Sequence, residues 1–193
     1  AARTSDHVFE VTADYVNITG FTAKGATDYP KAGIYLYGVG HCEISDNNAP
    51  NNFKGIYLDH SSSNTLTNNT ASNNGDGIAL SYSSNNTFIN NNISNNYDGI
   101  ALFHSSNNTF TGNVANSNNR AGINMYSSCN YNMLTNNTAS GNEVSGIFLY
   151  SSNNNTLSNN TAEDNDDGIY LSSSSNNTLN NNTMSGNTYN FDV

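Results

Sequence analysis

Two aspartates that lie one repeat apart are the residues best placed for chemistry. Asp76 and Asp98 each precede a glycine, and they are 22 residues apart. If equivalent residues of successive repeats stack at about 4.8 Å, the strand spacing of a β-sheet, the two carboxylates lie side by side. Carboxyl groups about 5 Å apart are the pair that a retaining glycosidase uses, and close carboxylates also bind Ca²⁺. The pair is therefore a candidate sugar-cleaving site.

Three further polar residues are expected near this pair. Lys54 has the same position one repeat earlier, and Asp59 and His60 end the strand that follows it. The candidate catalytic residues are thus Asp59, His60, Asp76 and Asp98, with Lys54 beside them. The alternative is a solvated corner without a ligand, in which Lys54 offsets the charge of Asp76.

Aromatic side chains form a second candidate site. They occupy outward positions of a repeated strand, and the candidate binding residues are Tyr35, Tyr37, Tyr57, Phe103, Tyr126, Phe148, Tyr150 and Tyr170. Exposed aromatic rings on a sheet suit stacking against sugars or contact with another protein. Stacking between neighbouring strands without any ligand explains the same pattern, so both interpretations stay open.

Metal binding has two candidate places. His60 and His104 are two repeats apart, with Tyr82 between them, which gives about 10 Å at the strand spacing of a sheet. Because metal–ligand bonds are about 2 Å long, two histidines at this separation need other ligands to share one ion. Acidic corners, of which residues 164–167 are one, are the candidate for Ca²⁺. No other cofactor is expected.

A repeated tetrad must position all of these residues. Gly-Ile-x-Leu occurs seven times, with Met125 replacing leucine in one copy, and the glycines are Gly33, Gly55, Gly77, Gly99, Gly122, Gly146 and Gly168. Their spacing is 22 residues except for one interval of 23 and one of 24. A fixed period of this length indicates a solenoid, and the alternation of apolar and variable residues predicts a strand with Ile and Leu inward.

Two shorter strands follow the tetrad in each repeat. An inward Leu, Ile or Phe marks the first, a small residue such as Ala marks the second, and Ser-Ser-Asn and Asn-Asn corners suit turns and left-handed backbone. Without helices between them, such strands can pair only with the same strand of the next repeat. The sequence predicts an all-β, right-handed parallel β-helix with about 22 residues per turn, roughly eight turns and three strands per turn. Residues 1–32 are expected to form a degenerate first turn or N-terminal cap, and residues 33–193 seven repeats of one continuous domain.

Asparagine is the commonest residue, at 42 of 193. In a coil of stacked turns, inward asparagines can bond to the amide groups of the turns above and below, which satisfies buried polar groups. One such ladder is predicted at Asn64, Asn86, Asn108, Asn132, Asn155 and Asn177, and a second at Asn74, Asn96, Asn118, Asn142, Asn165 and Asn187. Cys42 has the asparagine position in the first repeat, so the first ladder should end there.

The two cysteines are expected to remain unpaired within the chain. Cys42 and Cys129 are four repeats apart, about 19 Å at the strand spacing, whereas a disulfide needs Cα atoms within about 7 Å. Two small buried or half-buried thiols are the simpler interpretation. An intermolecular bridge through Cys129 is the alternative.

The charge pattern excludes several partners. The net charge is −10 and only five residues are Lys or Arg, so no basic face can form, and neither nucleic acid nor polyanionic sugar is an expected partner. No apolar run is long enough to insert into a membrane. No signal peptide is recognised at Ala1, so we expect a mature chain or an excised domain.

The repeat pattern Asn-Asn-x-x-Gly-Ile-x-Leu-x-x-Ser-x-Asn-Asn-Thr-Leu covers roughly residues 33–187. It resembles the β-helix repeats of NosD-like proteins and of related carbohydrate-binding and sugar-hydrolase β-helices, and also the Asn-rich repeats of archaeal, especially methanogen, surface proteins. The NosD resemblance implies a role in maturing a copper site, but the histidines and methionines do not cluster in this sequence. Pectate-lyase-like β-helices combine a basic residue with an acidic calcium cluster, and Arg120 is expected at a different height from Asp76 and Asp98.

Three functional hypotheses follow. The first is a non-enzymatic, extracellular or cell-envelope structural module, such as a surface layer, sheath or adhesive repeat, that self-associates; its basis is the uniform repeats and the absence of an evident cleft. The second is carbohydrate binding or hydrolysis on the aromatic face, which requires Tyr57, Asp59, Asp76 and Asp98 to line a groove. The third is a NosD-like copper accessory that uses His60 and His104. Expected partners are further copies of the chain or cell-surface glycans.

Overall fold

The computed structural model describes residues 4–193, and this part of the chain consists of strands and turns without a helix. The strands stack into a parallel β-helix of about eight turns with about 22 residues per turn. The fold predicted from the repeat is confirmed.

The described residues contain twenty strands, which are numbered in chain order. They are β1 (Phe9–Val11), β2 (Asn17–Thr19), β3 (Ala32–Tyr37), β4 (Glu43–Ser45), β5 (Lys54–Asp59), β6 (Thr65–Thr67), β7 (Thr70–Ser72), β8 (Asp76–Ser81), β9 (Thr87–Ile89), β10 (Asn92–Ser94), β11 (Asp98–Phe103), β12 (Thr109–Thr111), β13 (Val114–Asn116), β14 (Ala121–Tyr126), β15 (Met133–Thr135), β16 (Ser145–Tyr150), β17 (Thr156–Ser158), β18 (Asp167–Ser172), β19 (Thr178–Asn180) and β20 (Tyr189–Asp192).

Three parallel sheets run along the coil. The long sheet has nine strands in the order β1-β3-β5-β8-β11-β14-β16-β18-β20, and most of its strands are six residues long. The second sheet has eight three-residue strands, from β2 to β19. The third sheet is continuous only across β7, β10 and β13, while single bridges such as Thr138 with Thr161 replace it in other turns. The third strand of the repeat is therefore often reduced to one paired residue.

The core is a set of stacked columns, in which the same side-chain type recurs in successive turns. Ile56 pairs in register with Ile78, and Leu58 pairs with Leu80, and these four side chains are almost fully buried. Phe88 and Phe110 stack in the second sheet with ring centroids 4.5 Å apart. Each aliphatic side chain buried in this way contributes about 1.5–3 kcal/mol to folding.

Asparagine ladders run along the coil at its corners, from each turn to the next. In the ladder from Asn64 to Asn177, each backbone N–H and each side-chain amide donates to the Oδ1 of the next asparagine; the Asn64 N–H lies 2.9 Å from Asn86 Oδ1. The ladder ends at Cys42, which donates only its backbone N–H to Asn64. The ladder from Asn74 to Asn187 begins one turn earlier than predicted, at Asn52.

A third ladder was not predicted. It consists of Asn47, Asn69, Asn91, Asn113, Asn137, Asn160 and Asn182, which make the same pair of bonds from turn to turn. Five of these seven residues follow another asparagine at the corner, whereas Asn47 follows Asp46 and Asn113 follows Gly112. The first asparagines of these pairs lie at positive φ and face outward, as in Asn68 and Asn90. The corners therefore use one asparagine for its backbone conformation and the next for its buried amide.

Both cysteines are free and buried, as their spacing predicts. Cys42 lies in the first asparagine column, whereas Cys129 lies in a column of serines whose hydroxyls accept backbone N–H bonds. Burial raises the pKa of the Cys129 thiol from 9.0 to about 11. This thiol is therefore neutral near pH 7 and inaccessible in the folded chain.

The residues before the first tetrad contribute two strands to the coil. β1 pairs with β3, and β2 pairs with β4, so the described part of the 1–32 segment is stacked on the first complete turn. Residues 1–3 of that predicted segment lie outside the described residues. Residues 4–193 contain no helix with the length and apolarity that a membrane crossing requires.

Candidate functional site

A groove of about 560 Å³ lies on the outer face of the long sheet. It crosses β5, β8, β11 and β14, which are four neighbouring strands. Its lining residues are Tyr29, Pro30, Lys54, Tyr57, Asp76, Ala79, Leu80, Ser81, Tyr97, Asp98, Ala101, Leu102, Phe103, Arg120, Asn124 and Tyr126. The expectation that the repeats leave no cleft was wrong.

The groove exists because one outward column loses its large side chains. Tyr57, at the middle of β5, is followed in register by Ala79 and then Ala101. The next strands of the column carry Asn124 and Phe148. Two alanines therefore form a low floor between larger neighbours. The one- and two-residue insertions in the repeats that begin at Gly99 and Gly122 are not needed to form it, because a change of side-chain size within constant backbone geometry is sufficient.

Aromatic rings border this floor. Tyr57 stands at one end, and Phe103 and Tyr126 stand along one side, with 37% and 45% of their surfaces exposed. Tyr97 borders the opposite side and is 53% exposed. Burial and the nearby Asp59 carboxylate raise the pKa of Tyr57, so its hydroxyl stays protonated and can donate a hydrogen bond at neutral pH.

Lys54 and Asp76 form an ion pair at one rim of the groove. Their positions are in register on β5 and β8, and Lys54 Nζ lies 2.5 Å from Asp76 Oδ2. The same ammonium group lies 4.9 Å from the centre of the Tyr57 ring, within the range of a cation–π contact. The predicted offset of Asp76 by Lys54 is present, but the pair is largely covered rather than solvated, with side-chain exposures of 15% and 20%.

Asp98 is held in a second ionic cluster beside the first. It pairs in register with Asp76, is only 2% exposed, and accepts hydrogen bonds from Nε and Nη2 of Arg120, with the Nε contact at 2.8 Å. The Asn124 side-chain amide donates to the second Asp98 oxygen at 3.0 Å. The hydrogen bond to Asp98 raises the pKa of Arg120, so the guanidinium is charged throughout the usual pH range.

Arg120 lies one turn beyond Asp98 in the backbone, as expected, but its side chain spans this difference in height. It precedes Ala121, whose methyl group leaves the position occupied by Asp76 and Asp98 in earlier turns open. The long side chain folds back by one turn, across the Tyr97 ring at 5.1 Å, to reach Asp98. The sequence signal was Ala121, an uncharged residue in the column of Asp76 and Asp98, directly after the long cationic side chain of Arg120.

Asn124 carries a buried acceptor without a partner. Only 4% of the residue is exposed, although it lies in the outward column. Its Nδ2 faces Asp98, but Oδ1 receives no hydrogen bond from any described residue. A buried polar atom without a partner is uncommon in folded proteins and usually has a functional or structural reason. The repeat pattern places Asn124 in the outward column but does not reveal that its Oδ1 is buried without a partner.

The other candidate catalytic residues lie outside the groove. Asp59 Oδ2 accepts a bond from the Tyr35 hydroxyl at 3.1 Å, and Asp59 Oδ1 lies 2.7 Å from His60 Nδ1. Burial, followed by the Asp59 charge, raises the pKa of Tyr35. Asp59 and His60 thus belong to a neighbouring polar patch and do not join Asp76 and Asp98.

The remaining aromatic candidates stack on one another along the sheet. Tyr35 stacks on Tyr57 at 5.2 Å between ring centres, and Phe148 stacks on Tyr170 at 5.0 Å. Tyr150 stacks on Tyr126 at 4.9 Å, while Tyr37 is about half exposed beside Tyr35. Cross-strand stacking thus accounts for part of the aromatic pattern, and the groove uses only Tyr57, Phe103 and Tyr126 of the predicted set.

Neither predicted metal place forms a chelating cluster. The rings of His60 and His104 each stack on Tyr82 at 5.1 Å, so the tyrosine ring separates the two imidazoles. Within residues 4–193, no three His, Cys, Asp or Glu side chains are arranged to hold a metal ion, and this includes the acidic corner at residues 164–167.

A sequence comparison decides the family. The profile described as "Periplasmic copper-binding protein (NosD)" matches residues 6–193. The chain belongs to the NosD family. No curated protein sequence matches it at a significant level.

Several solved structures with the same fold are enzymes named for alginate or pectate. The NosD-family chain superposes on the periplasmic alginate epimerase AlgG with a TM-score of 0.74 and 18% identity, over 91% of this chain and 46% of that one. The pectate lyase Pel9A gives 0.68 and 20%, over 93% and 56%. The alginate lyase from Paenibacillus sp. str. FPU-7 gives 0.73 and 14%, over 97% and 87%. The chain spans about half the length of the alginate epimerase, and identities this low show the fold alone.

The described residues of this NosD-family chain do not fit a copper ion. Copper is held by imidazole nitrogens and by thiolate or thioether sulfurs. Met125 is fully buried in the core, Cys129 is a buried neutral thiol, and Met133 is on a different sheet. His60 and His104 face Tyr82 rather than each other. The donor atoms that copper would need are dispersed over the described part of the coil.

Proposed function

We propose that this NosD-family chain binds polysaccharide in the groove above Ala79 and Ala101. The observation that carries this proposal is the combination of a low floor, aromatic rims and paired charged groups on a rigid sheet. Sugar rings present apolar C–H faces and polar edges, so aromatic rings and fixed hydrogen-bonding groups recognise them together.

The shape of the groove favours an extended ligand. Four strands of the long sheet contribute to it, and neighbouring strands in a sheet are about 4.8 Å apart. The groove therefore accommodates a few consecutive sugar units rather than a compact metabolite. Tyr57, Phe103 and Tyr126 provide the stacking surfaces, and Lys54, Asp76 and Arg120 provide polar contacts at the rim.

The charge arrangement favours binding over hydrolysis. A retaining glycosidase needs one carboxylate nucleophile and one protonated carboxyl group that donates to the leaving oxygen. Asp76 and Asp98 each already accept hydrogen bonds from a cation, Lys54 and Arg120 respectively. Neither is a free acid, so we propose a non-catalytic role for both carboxylates.

The comparisons support an extracytoplasmic glycan ligand without assigning one. The matched family is described as periplasmic, and solved structures with this fold include an alginate epimerase, an alginate lyase and a pectate lyase. We propose a location in the cell envelope or outside the cell, where such polymers occur.

Oligosaccharide binding measured by calorimetry tests the proposal. Tyr57→Ala removes a stacking ring from the groove, whereas Tyr170→Ala removes the equivalent ring of a Gly-Ile-Tyr-Leu tetrad outside it. Ala101→Trp fills the floor. We expect Tyr57→Ala and Ala101→Trp to weaken binding by tenfold or more, and Tyr170→Ala to leave it within about twofold, since one aromatic contact is worth about 0.5–1.5 kcal/mol beyond the burial of its surface. Absence of binding to any oligosaccharide, or equal effects of Tyr57→Ala and Tyr170→Ala, would contradict it.

Self-association as an envelope component is a second candidate. It is favoured by the aromatic stack of His60, Tyr82 and His104, which lies outside the groove and leaves Tyr82 51% exposed. Light scattering against concentration tests it. A rising mass that Tyr82→Ala suppresses supports a contact between copies, and a constant monomer mass excludes it.

A further inference from the structure

Asn124 lines the groove, and the orientation of its side-chain amide is set by its neighbour Asp98. Asp98 is paired with Arg120 and accepts hydrogen bonds with both oxygens. An ionised carboxylate can only accept, so the Asn124 amide must turn its NH₂ group toward Asp98. The carbonyl oxygen, Oδ1, therefore faces away from Asp98 as an acceptor without a donor.

A ligand can supply the missing donor. Because Oδ1 is buried, pairing with a ligand requires the groove side chains that cover it to move aside, and only a group that carries hydrogen can pair with it. Sugar hydroxyls are such groups. A carboxylate is not, because it has no hydrogen to donate at neutral pH.

The cations of the groove are already neutralised. Among the described lining residues, Lys54 and Arg120 are the positively charged ones, and each is paired with an aspartate of the same groove. A uronate carboxylate would have to compete with Asp76 or Asp98 for these cations. In the low-polarity surroundings of a largely buried carboxylate such as Asp98, an additional negative charge is strongly disfavoured.

We infer that the groove selects neutral, hydroxyl-bearing sugar units and rejects uronates, with Asn124 Oδ1 accepting a hydrogen bond from a sugar hydroxyl. This inference rests on the proposed function: the paired cations account for the rejection of uronates, and Asn124 is the residue that recognises a sugar hydroxyl. It separates this chain from the alginate epimerase, the alginate lyase and the pectate lyase, which are named for acidic polymers.

A ligand pair that differs only in charge tests the inference without altering the protein. Oligogalacturonate and its methyl ester have the same ring hydroxyls, but only the free acid carries carboxylates. We expect calorimetry to show at least tenfold tighter binding of the ester, and binding of neutral oligosaccharides such as cello- and manno-oligosaccharides in the same range.

Two variants test the role of Asn124 itself. Asn124→Ala reproduces the residue found at Ala79 and Ala101 in the same column, so the strand is expected to tolerate it, and Asn124→Leu removes the acceptor at nearly constant volume. Both should weaken binding of the neutral ligands about three- to tenfold, the value of one hydrogen bond, while binding of the free acid changes less. Circular dichroism of each variant checks that it is folded.

The outcomes distinguish the selectivity from glycan binding itself. Tighter binding of the free acid than of its ester overturns the selectivity, and neutral-ligand affinity unchanged in both Asn124 variants overturns the role of Asn124; either result leaves glycan binding intact. Absence of binding to every oligosaccharide overturns glycan binding and the selectivity together.

Discussion

Replacing one internal asparagine should destabilise the whole coil. Asn86 lies in the middle of a ladder: its Oδ1 accepts the Asn64 backbone N–H at 2.9 Å, and its Nδ2 donates to the Ser61 carbonyl oxygen at 3.0 Å. Asn86→Ala removes both of these polar atoms, Oδ1 and Nδ2. The Asn64 N–H and the Ser61 carbonyl then remain buried without these partners, since both residues are at most 1% exposed.

The expected loss follows from these two groups. A buried donor or acceptor that loses its partner costs about 1–3 kcal/mol, so two of them give about 2–6 kcal/mol of lost unfolding free energy. Domains of this kind have a total stability of only about 5–15 kcal/mol. A single truncation thus removes a large fraction of it.

Urea unfolding followed by circular dichroism measures this change. The matched control is Asn119→Ala, because Asn119 is exposed and its side chain makes no hydrogen bond to another described residue. We expect a lower midpoint for Asn86→Ala with an unchanged m-value, and a change within about 0.5 kcal/mol for the control. Equal midpoints for the two variants would show that the ladder amides contribute no more to stability than surface amides do.

Two further predictions concern the turn backbone and the buried thiol. Gly99→Ala should cost about 3 kcal/mol or more in the same urea assay, because an added Cβ would lie 2.5 Å from the Gly122 carbonyl oxygen. Gly38 has open space around it but a φ of +65°, so Gly38→Ser should cost only the about 1–2 kcal/mol of a left-handed L-residue. Equal costs would show that the close approach of the Gly122 carbonyl does not add to the cost. The thiol pKa of Cys129 is higher in the folded chain than in the unfolded chain, so the unfolded chain loses this proton first. The stability of the wild type should therefore fall between pH 9 and pH 11, by up to about 1.4 kcal/mol per pH unit. Cys129→Ser should remove this loss. Serine already occupies this column at Ser152, so the variant should fold, and an unchanged pH profile would show that the thiol is not the cause.

Much of the architecture was predictable because a solenoid repeats its own constraints. Each Gly-Ile-x-Leu tetrad states the same inward and outward alternation, and a period of about 22 residues without helical segments leaves parallel stacking as the only pairing. Ladder positions such as Asn64 and Asn74 follow from the same period. The ladder through Asn69 was not predicted, because Asn68 and Asn69 are the same residue type and only one of them points inward. The sign of φ decides which one: Asn68 has a positive φ and faces outward, and Asn69 joins the ladder.

The repeat period was sufficient to assign the columns of the coil, because a fixed period makes every repeat position a height along its axis. The register of Lys54, Asp76 and Asp98 follows from the period alone. The contacts within the site do not follow from it, because side-chain length and direction are not periodic. Arg120 reaches back one turn to Asp98 because Ala121 leaves space, and Oδ1 of Asn124 is then buried without a donor. Those contacts depend on which neighbours are small, and that is settled only when the turns are packed together.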